Sequence, residues 1–382
     1  MLFCSMSISP SDESWEVLLS LFPSNWREQA RKLGAVERLR GFANIDNLMR
    51  TLLIHVAQGY SLRETVVRAK ASELAAISDV ALLKRLRNAE RWLRSLCLGL
   101  LEEEGVQMPP LPNGWRVRAV DGSLVKEPGR TGSQWRLHYS LQLPSMLCDH
   151  LEVTAVQGQG TGERLHRFPA QRGDLVLADR GMCNPVGIGS LRKRRAHVIV
   201  RLNTGALPLR GGSGEKFDLL AHLQSVKRPG HIAEWTVQTG EGRAPISGRL
   251  CVLRKSEQQT QRALRKIHRK TQQGGPKPKP ATLAYANYVM VFTTVAATEL
   301  TAQEVLEWYR LRWQIELVFK RLKTLLRVGH IPKYDDQSSK AWLYAKLLVA
   351  LLAEKLIRIG QTLSPWGYLL PSEEASRQAK TA

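Results

Sequence analysis

From about Ser24 to Glu104 the apolar positions recur at three- and four-residue intervals, the spacing of amphipathic helices. Ser61-x-x-Glu64 reads as a capping box, and Ser78-Asp79 opens a run through Leu82, Leu86, Leu93 and Leu96. After Pro109, Pro110 and Pro112 the period shortens. Strands are expected at 115–120, 135–143, 150–156, 174–178 and 197–202, with a helix at about 186–192 between the last two, so a mixed sheet with helices is predicted. Shorter alternating runs at 232–237 and 250–253, separated by Gly-rich turns, predict further β-structure, and 288–294 reads as another strand. Tyr309, Arg312, Glu316 and Lys323 then follow at offsets of 3, 7 and 14, which on one helix fall within an arc of roughly 60°. The opposite side carries Leu311, Ile315, Val318, Leu322 and Leu325, a stripe suited to docking on a core.

Acids close two of the strand runs. The first ends at Asp121-Gly122-Ser123, and the short buried-type run from Asp174 ends at Asp179-Arg180-Gly181. Either alone is an ordinary turn signal. With Glu316 they make three carboxylates in the order strand end, strand end, helix, and hard divalent cations need oxygen ligands gathered from several elements.

Charge narrows the partner. The chain has 56 Lys and Arg against 34 Asp and Glu, a formal net charge of +22, which favours a polyanion through counterion release. With 382 residues and 43% hydrophobic content it can build two or more packed units, more than a small RNA-binding protein needs. Arg262, Arg265, Lys266, Arg269 and Lys270 form a basic run before a Gly-Gly-Pro-Lys-Pro-Lys-Pro loop, either a solvated face or a phosphate-tracking one. Five scattered cysteines without a Cys-x-x-Cys pair point to a reducing cytoplasm and no structural zinc. No glycine run ends in Gly-Lys-Ser/Thr, so no nucleotide cofactor is expected. The apolar segment 341–357 contains Lys346 and Glu354 and is expected to be a buried helix, not a membrane span, and no secretory signal is evident.

At Asp121-Gly-Ser, Asp179-Arg-Gly and the Tyr309, Arg312, Glu316, Lys323 set, the chain resembles bacterial insertion-sequence transposases of the DDE class, in the group with a Tyr-Arg-Glu-Lys signature (the insertion-sequence-four family). The resemblance runs from about Trp115 to Ile359. Met182 stands where a tyrosine is commoner in the family, and Ser123 where a threonine is usual. The resemblance implies a ribonuclease-H-like catalytic domain with a mixed sheet at 109–203 and 286–361, interrupted by a β-rich insertion domain with the basic segment at 204–285. An α-helical N-terminal DNA-binding domain at 1–108 and a tail at 362–382 complete the expected layout. The 137 positions between Asp179 and Glu316 agree with an insertion.

The family likeness further implies Asp121, Asp179 and Glu316 as catalytic residues holding two Mg²⁺ ions, with Mn²⁺ as a substitute. Tyr309, Arg312 and Lys323 are then expected on DNA phosphates, and Tyr288, opening the strand before the signature, on a flipped base. The expected activity is cleavage at the ends of an insertion sequence and joining of the 3′-hydroxyl to target DNA, with or without a hairpin. Double-stranded DNA and a second copy of the chain in a synaptic dimer are the implied partners. A non-catalytic DNA-binding regulator and a metal-dependent nuclease without strand transfer stay open as alternatives. The basic residues of the N-terminal helices, such as Arg63, Lys84 and Arg91, suit either end recognition or a solvated bundle face.

Overall fold

The computed structural model describes residues 10–103, 114–126, 134–143, 145–158, 161–240, 245–324, 326–328, 331–332 and 335–363. The proline-rich break, Leu325 and most of the expected tail lie outside them. Helices α1 Pro10–Leu19, α2 Trp26–Lys32, α3 Ile45–Gln58, α4 Leu62–Ala71, α5 Asp79–Asn88 and α6 Glu90–Glu103 come first. There follow β1 Arg116–Lys126, β2 Gln134–Leu143, β3 Cys148–Ala155, β4 Asp174–Ala178, α7 Pro185–Lys193, β5 His197–Arg201, α8 Leu219–Gln224, β6 Ile232–Thr239 and β7 Ile246–Arg254. The chain continues through α9 Glu257–Gln272, α10 Pro280–Tyr285, β8 Tyr288–Thr293, α11 Ala302–Leu311, α12 Trp313–Thr324 and α13 Asp336–Leu363.

Two compact units result, one from residues 1–105, 126–133 and 322–382, the other from 106–125 and 134–321. In the first, short polar side chains start the helices: Asn44 accepts from Asn47 N–H, Ser61 from Glu64 N–H and Ser78 from Ala81 N–H. The run expected from Ser78 is two helices, with Ala89 between them and Leu82, Leu86, Leu93 and Leu96 all fully buried. The α13 helix packs against α6, α5 and α3, burying Ala341 to Leu348 all round, which is why this segment is so apolar. Its buried cation Lys346 lies 5.2 Å from the Trp342 ring centroid and points Nζ at the Ala57 carbonyl. Among the described residues no helix is long and apolar enough to cross a membrane.

The second unit is a mixed α/β body around an eight-stranded sheet in the order β3-β2-β1-β4-β5-β8-β7-β6. The β1, β4 and β5 strands run parallel, and the pairs β2–β3, β5–β8, β7–β8 and β6–β7 are antiparallel. Every residue of β4 is buried, as expected for a central parallel strand covered on both faces. Inside it Asp174 is neutralised by Arg116 at 2.8 Å and Arg118 at 3.2 Å, the partners a buried charge requires.

These units divide the chain differently from the expected domain limits. The β6 and β7 strands of segment 204–285 are hydrogen-bonded into the same sheet as the aspartate-bearing strands, because β8 presents an edge that β7 occupies along its whole length. The α13 helix groups with the N-terminal helices because its apolar surface is buried among them. The four described cysteines, Cys97, Cys148, Cys183 and Cys251, are buried and in no disulfide.

Candidate active site

Register places the two aspartates. The β1 and β4 strands pair in parallel from Arg116 opposite Asp174 to Val120 opposite Ala178, so Asp121 and Asp179 are the next residue on each of two adjacent chains. There the chains part. The β4 strand stops at Ala178, and Asp179 leads a 3₁₀ turn, Arg180–Met182, closed by Met182 N–H on the Asp179 carbonyl at 3.1 Å. The β1 strand, expected to stop at Asp121-Gly122, instead continues to Lys126. Asp121 is therefore a strand residue whose Oδ1 accepts from Gly122 N–H at 2.8 Å.

The helices α11 and α12 bring the remaining groups. A capping box opens α11, with Thr301 accepting from Glu304 N–H and the Glu304 side chain returning to Thr301 N–H. The α11 helix packs across β4, β5, β6, β7 and β8 and ends with Tyr309 buried and its hydroxyl donating to Asp179 Oδ1 at 3.3 Å. The single helix expected through Tyr309 and Lys323 is broken at Arg312. There Arg312 N–H bonds the Tyr309 carbonyl and Ile315 N–H bonds the Arg312 carbonyl, a tighter i to i−3 step. The step rotates the two segments, so Leu311 of the expected packing stripe is exposed, while Ile315, Val318 and Leu322 are buried as expected.

Arg312 joins the carboxylates. Its Nη1 lies 3.7 Å from Asp121 Oδ2 and its Nη2 donates to Glu316 Oε1 at 2.5 Å. Tyr309 thus holds Asp179, and Arg312 bears on both Asp121 and Glu316. Burial pushes the Asp121 carboxyl up to about 6, against the Gly122 hydrogen bond and the Arg312 charge, and nearby Glu163 and Asp179 add to the rise. Burial also pushes the Tyr309 phenol upward, opposed by Arg312 and supported by Asp179.

Other sequence-selected residues lie elsewhere. Lys323 is exposed on the last turn of α12. Arg262, Arg265, Lys266, Arg269 and Lys270 are all exposed on one side of α9, whose opposite side holds Thr260, Leu264 and Ile267. Tyr288 is in the core: its hydroxyl donates to the Leu223 carbonyl at 2.9 Å and the Arg254 guanidinium covers its ring at 4.8 Å. Its ring is committed to packing, which aromatic strand residues usually are. Sequence reasoning missed Glu163 and its partner Arg136, 3.5 Å apart, at this same end of the sheet. No periodicity marks Glu163, which stands in the irregular stretch between β3 and β4.

A sheet that ends in two side-by-side aspartates, with a glutamate supplied by a later helix, defines a class that comparison identifies. Residues 116–352 match the family model described as transposase DDE domain, and the chain belongs to that family of metal-dependent enzymes that cut and transfer DNA. It is 32% identical over 356 residues to the putative transposase InsL for insertion sequence element IS186A of Escherichia coli strain K12, a match covering 91% of this chain and 95% of that protein. The transposase for insertion sequence element IS421 of Escherichia coli is 32% identical over 357 residues with the same coverage. The transposase for IS231B of Bacillus thuringiensis subsp. berliner is 23% identical over 390 residues, covering 91% and 80%.

Membership of this family implies a divalent metal. Among the described residues no group of three or more His, Cys, Asp or Glu side chains stands close enough together to hold a metal ion. The donor set nonetheless fits such an ion. It is all carboxylate oxygen, and the Arg312 guanidinium already sits as a cation against Asp121 and Glu316.

Proposed function

We propose that this transposase binds the ends of an insertion sequence, hydrolyses the DNA strand there and joins the freed 3′-hydroxyl to target DNA. The observation that carries this reading is the parallel register that sets Asp121 beside Asp179, with Arg312 linking Asp121 to Glu316. In this reading Asp121, Asp179 and Glu316 hold two Mg²⁺ ions, which Mn²⁺ can replace. Bound there, the ions supply Lewis acidity and lower the pKa of an attacking water or hydroxyl.

The protein's own groups do the rest. Tyr309 fixes the orientation of Asp179 through its hydroxyl. The Arg312 fork, which bears on Asp121 and Glu316, would offer a phosphate near the scissile bond a planar bidentate contact that Lys cannot reproduce. Lys323 adds an exposed point charge, and the α9 stripe tracks the backbone further along the duplex. Tyr288 has no part in this surface, because its ring and hydroxyl are both engaged in the core.

The ribonuclease-H-like reading of the sheet is supported by the adjacent strands β3, β2 and β1, with β2 and β3 antiparallel, followed by β4 and β5 parallel to β1. The helices before residue 108 serve end recognition, and a dimer holds two ends together. The deciding experiment is cleavage and joining of the DNA that borders the coding region, in Mg²⁺, with Asp179→Asn as control. Metal-dependent products that are absent with the variant support a transposase acting on those ends. Binding without cutting by either protein would move the assignment to a DNA-binding regulator.

A further inference from the structure

Between β3 and β4 the described chain has one regular element, the 3₁₀ turn Leu165–Arg167. Just before it, Glu163 reaches the aspartate end of the sheet and lies against both glycines of the two acid motifs. A methyl group built on Gly122 would stand 2.8 Å from Glu163 Cγ and 3.0 Å from Oε1, and one built on Gly181 would stand 2.6 Å from Oε2. The carboxylate therefore spans the gap between the strand carrying Asp121 and the turn carrying Asp179. Neither glycine has the left-handed backbone that asks for glycine on conformational grounds. The missing side chains instead make the cradle in which the Glu163 carboxylate rests.

A third carboxylate beside two aspartates is a poor choice for packing, because like charges at close range repel. Its ion pair with Arg136 is loose, at 3.5 Å, and Arg136 already spends Nη1 on the Thr161 carbonyl at 3.2 Å. The Glu163 side chain keeps 27% of its surface exposed, so the cradle opens to solvent. A divalent cation is the partner that would turn this crowding of anionic oxygen into favourable contacts.

We propose that Glu163 is a fourth carboxylate of the divalent-metal site, contributing an oxygen beside those of Asp121 and Asp179. The proposal rests on the reading of the two aspartates as metal ligands, and the test separates the two. Mn²⁺ binding to the full-length protein without DNA is measured by the loss of the free-ion electron paramagnetic resonance signal, for wild type, Glu163→Gln and Asp121→Asn. Circular dichroism in chelator checks that each variant is folded. The expected result is Mn²⁺ affinity about 10-fold or more weaker for Glu163→Gln, the scale on which groups around a metal act, with Asp121→Asn weaker still. Gly181→Ala, which pushes a methyl into the carboxylate, should weaken Mn²⁺ in the same direction and add little to Glu163→Gln in the double variant. Wild-type affinity in Glu163→Gln, with Asp121→Asn impaired, overturns the role of Glu163 alone. Wild-type affinity in both variants overturns the aspartate reading with it. Should Glu163→Gln fail to fold, Gly181→Ala decides: unchanged Mn²⁺ affinity there rejects the proposal.

Discussion

The Tyr309 hydroxyl donates to Asp179 Oδ1 across 3.3 Å, joining the last turn of α11 to the residue where β4 ends. The bond aims a side chain that the 3₁₀ turn alone leaves free to rotate. Tyr309→Phe keeps the buried ring and removes only this bond, so the fold should hold while strand cleavage slows by about tenfold, the kinetic equivalent of one hydrogen bond to a charged group. Single-turnover cleavage of end DNA measures it. An unchanged rate would assign the hydroxyl to packing only.

Arg312 bears on two acids at once, and its replacements should separate charge from shape. Arg312→Lys keeps the cation but loses the planar fork, and Arg312→Gln loses both. Cleavage should fall in the order wild type, lysine, glutamine, with the last down by about 10²–10³-fold, as when a charge-stabilising donor is removed from an active site. Equal loss in the two variants would show that geometry alone counts.

On the proposed reading, metal and proton compete for Asp121. With its carboxyl raised to about 6, the group is ionised at pH 7 and takes up a proton as pH falls through 6. Only the ionised form binds a cation, so Mn²⁺ affinity should be flat above about pH 7 and fall by about tenfold per pH unit below 6. Calorimetric titration across pH 5 to 8 tests the sign. Saturating metal should also raise the melting temperature, by linkage to the native state, and Asp179→Asn should abolish the rise.

His138 on β2 is fully buried, with Nε2 2.9 Å from Thr154 Oγ1 and Nδ1 without a partner. Burial pushes its pKa down to about 4, with Arg167 adding to the shift. Its folded pKa lies below the unfolded value of about 6.5, so between those limits only the unfolded chain takes the proton. Stability should therefore be lost as pH falls from about 6.5 to about 4, by at most about 3 kcal/mol. Asp121 acts with the opposite sign over nearly the same range, so the measurement is the difference between wild type and His138→Phe in urea unfolding at each pH. A difference that does not change with pH would refute the assignment.

The α9 stripe should carry salt-dependent affinity and little specificity. Replacing Arg262, Arg265, Lys266, Arg269 and Lys270 by alanine should reduce the slope of log K against log salt by about 0.9 for each phosphate no longer neutralised, and by similar amounts on end and unrelated DNA. Filter binding at several salt concentrations reads the slope. An unaltered slope would leave the stripe as solvated surface.

Much of this architecture was legible because periodicity reports burial locally. The strands are found where the alternating runs predicted them, and Asp121 and Asp179 are recognisable as acids that interrupt apolar runs. The break at Arg312 was hidden because a single i to i−3 step leaves a 3.6-residue pattern almost intact over so short a stretch. That β7 pairs with β8, and that α13 packs on α6, depends on contacts between distant segments, about which local patterning says nothing. Glu163 was invisible for a third reason. Its significance lies in two glycines 41 and 18 positions away, which reveal themselves as clearance only once the chain is folded.

Unequal anchoring of the three acids has a consequence for how the site works. Asp121 belongs to a strand, Asp179 leads a single tight turn, and Glu316 stands 58% exposed on a helix that begins afresh after Arg312. Preorganisation therefore declines in that order, and with it the reorganisation each group must undergo before phosphoryl transfer grows. The strand supplies a fixed reference point, while the glutamate is the coordinate along which the site can be assembled or kept apart. On the proposed reading, the glutamate is the ligand whose placement depends most on the helix that carries it, and least on the sheet.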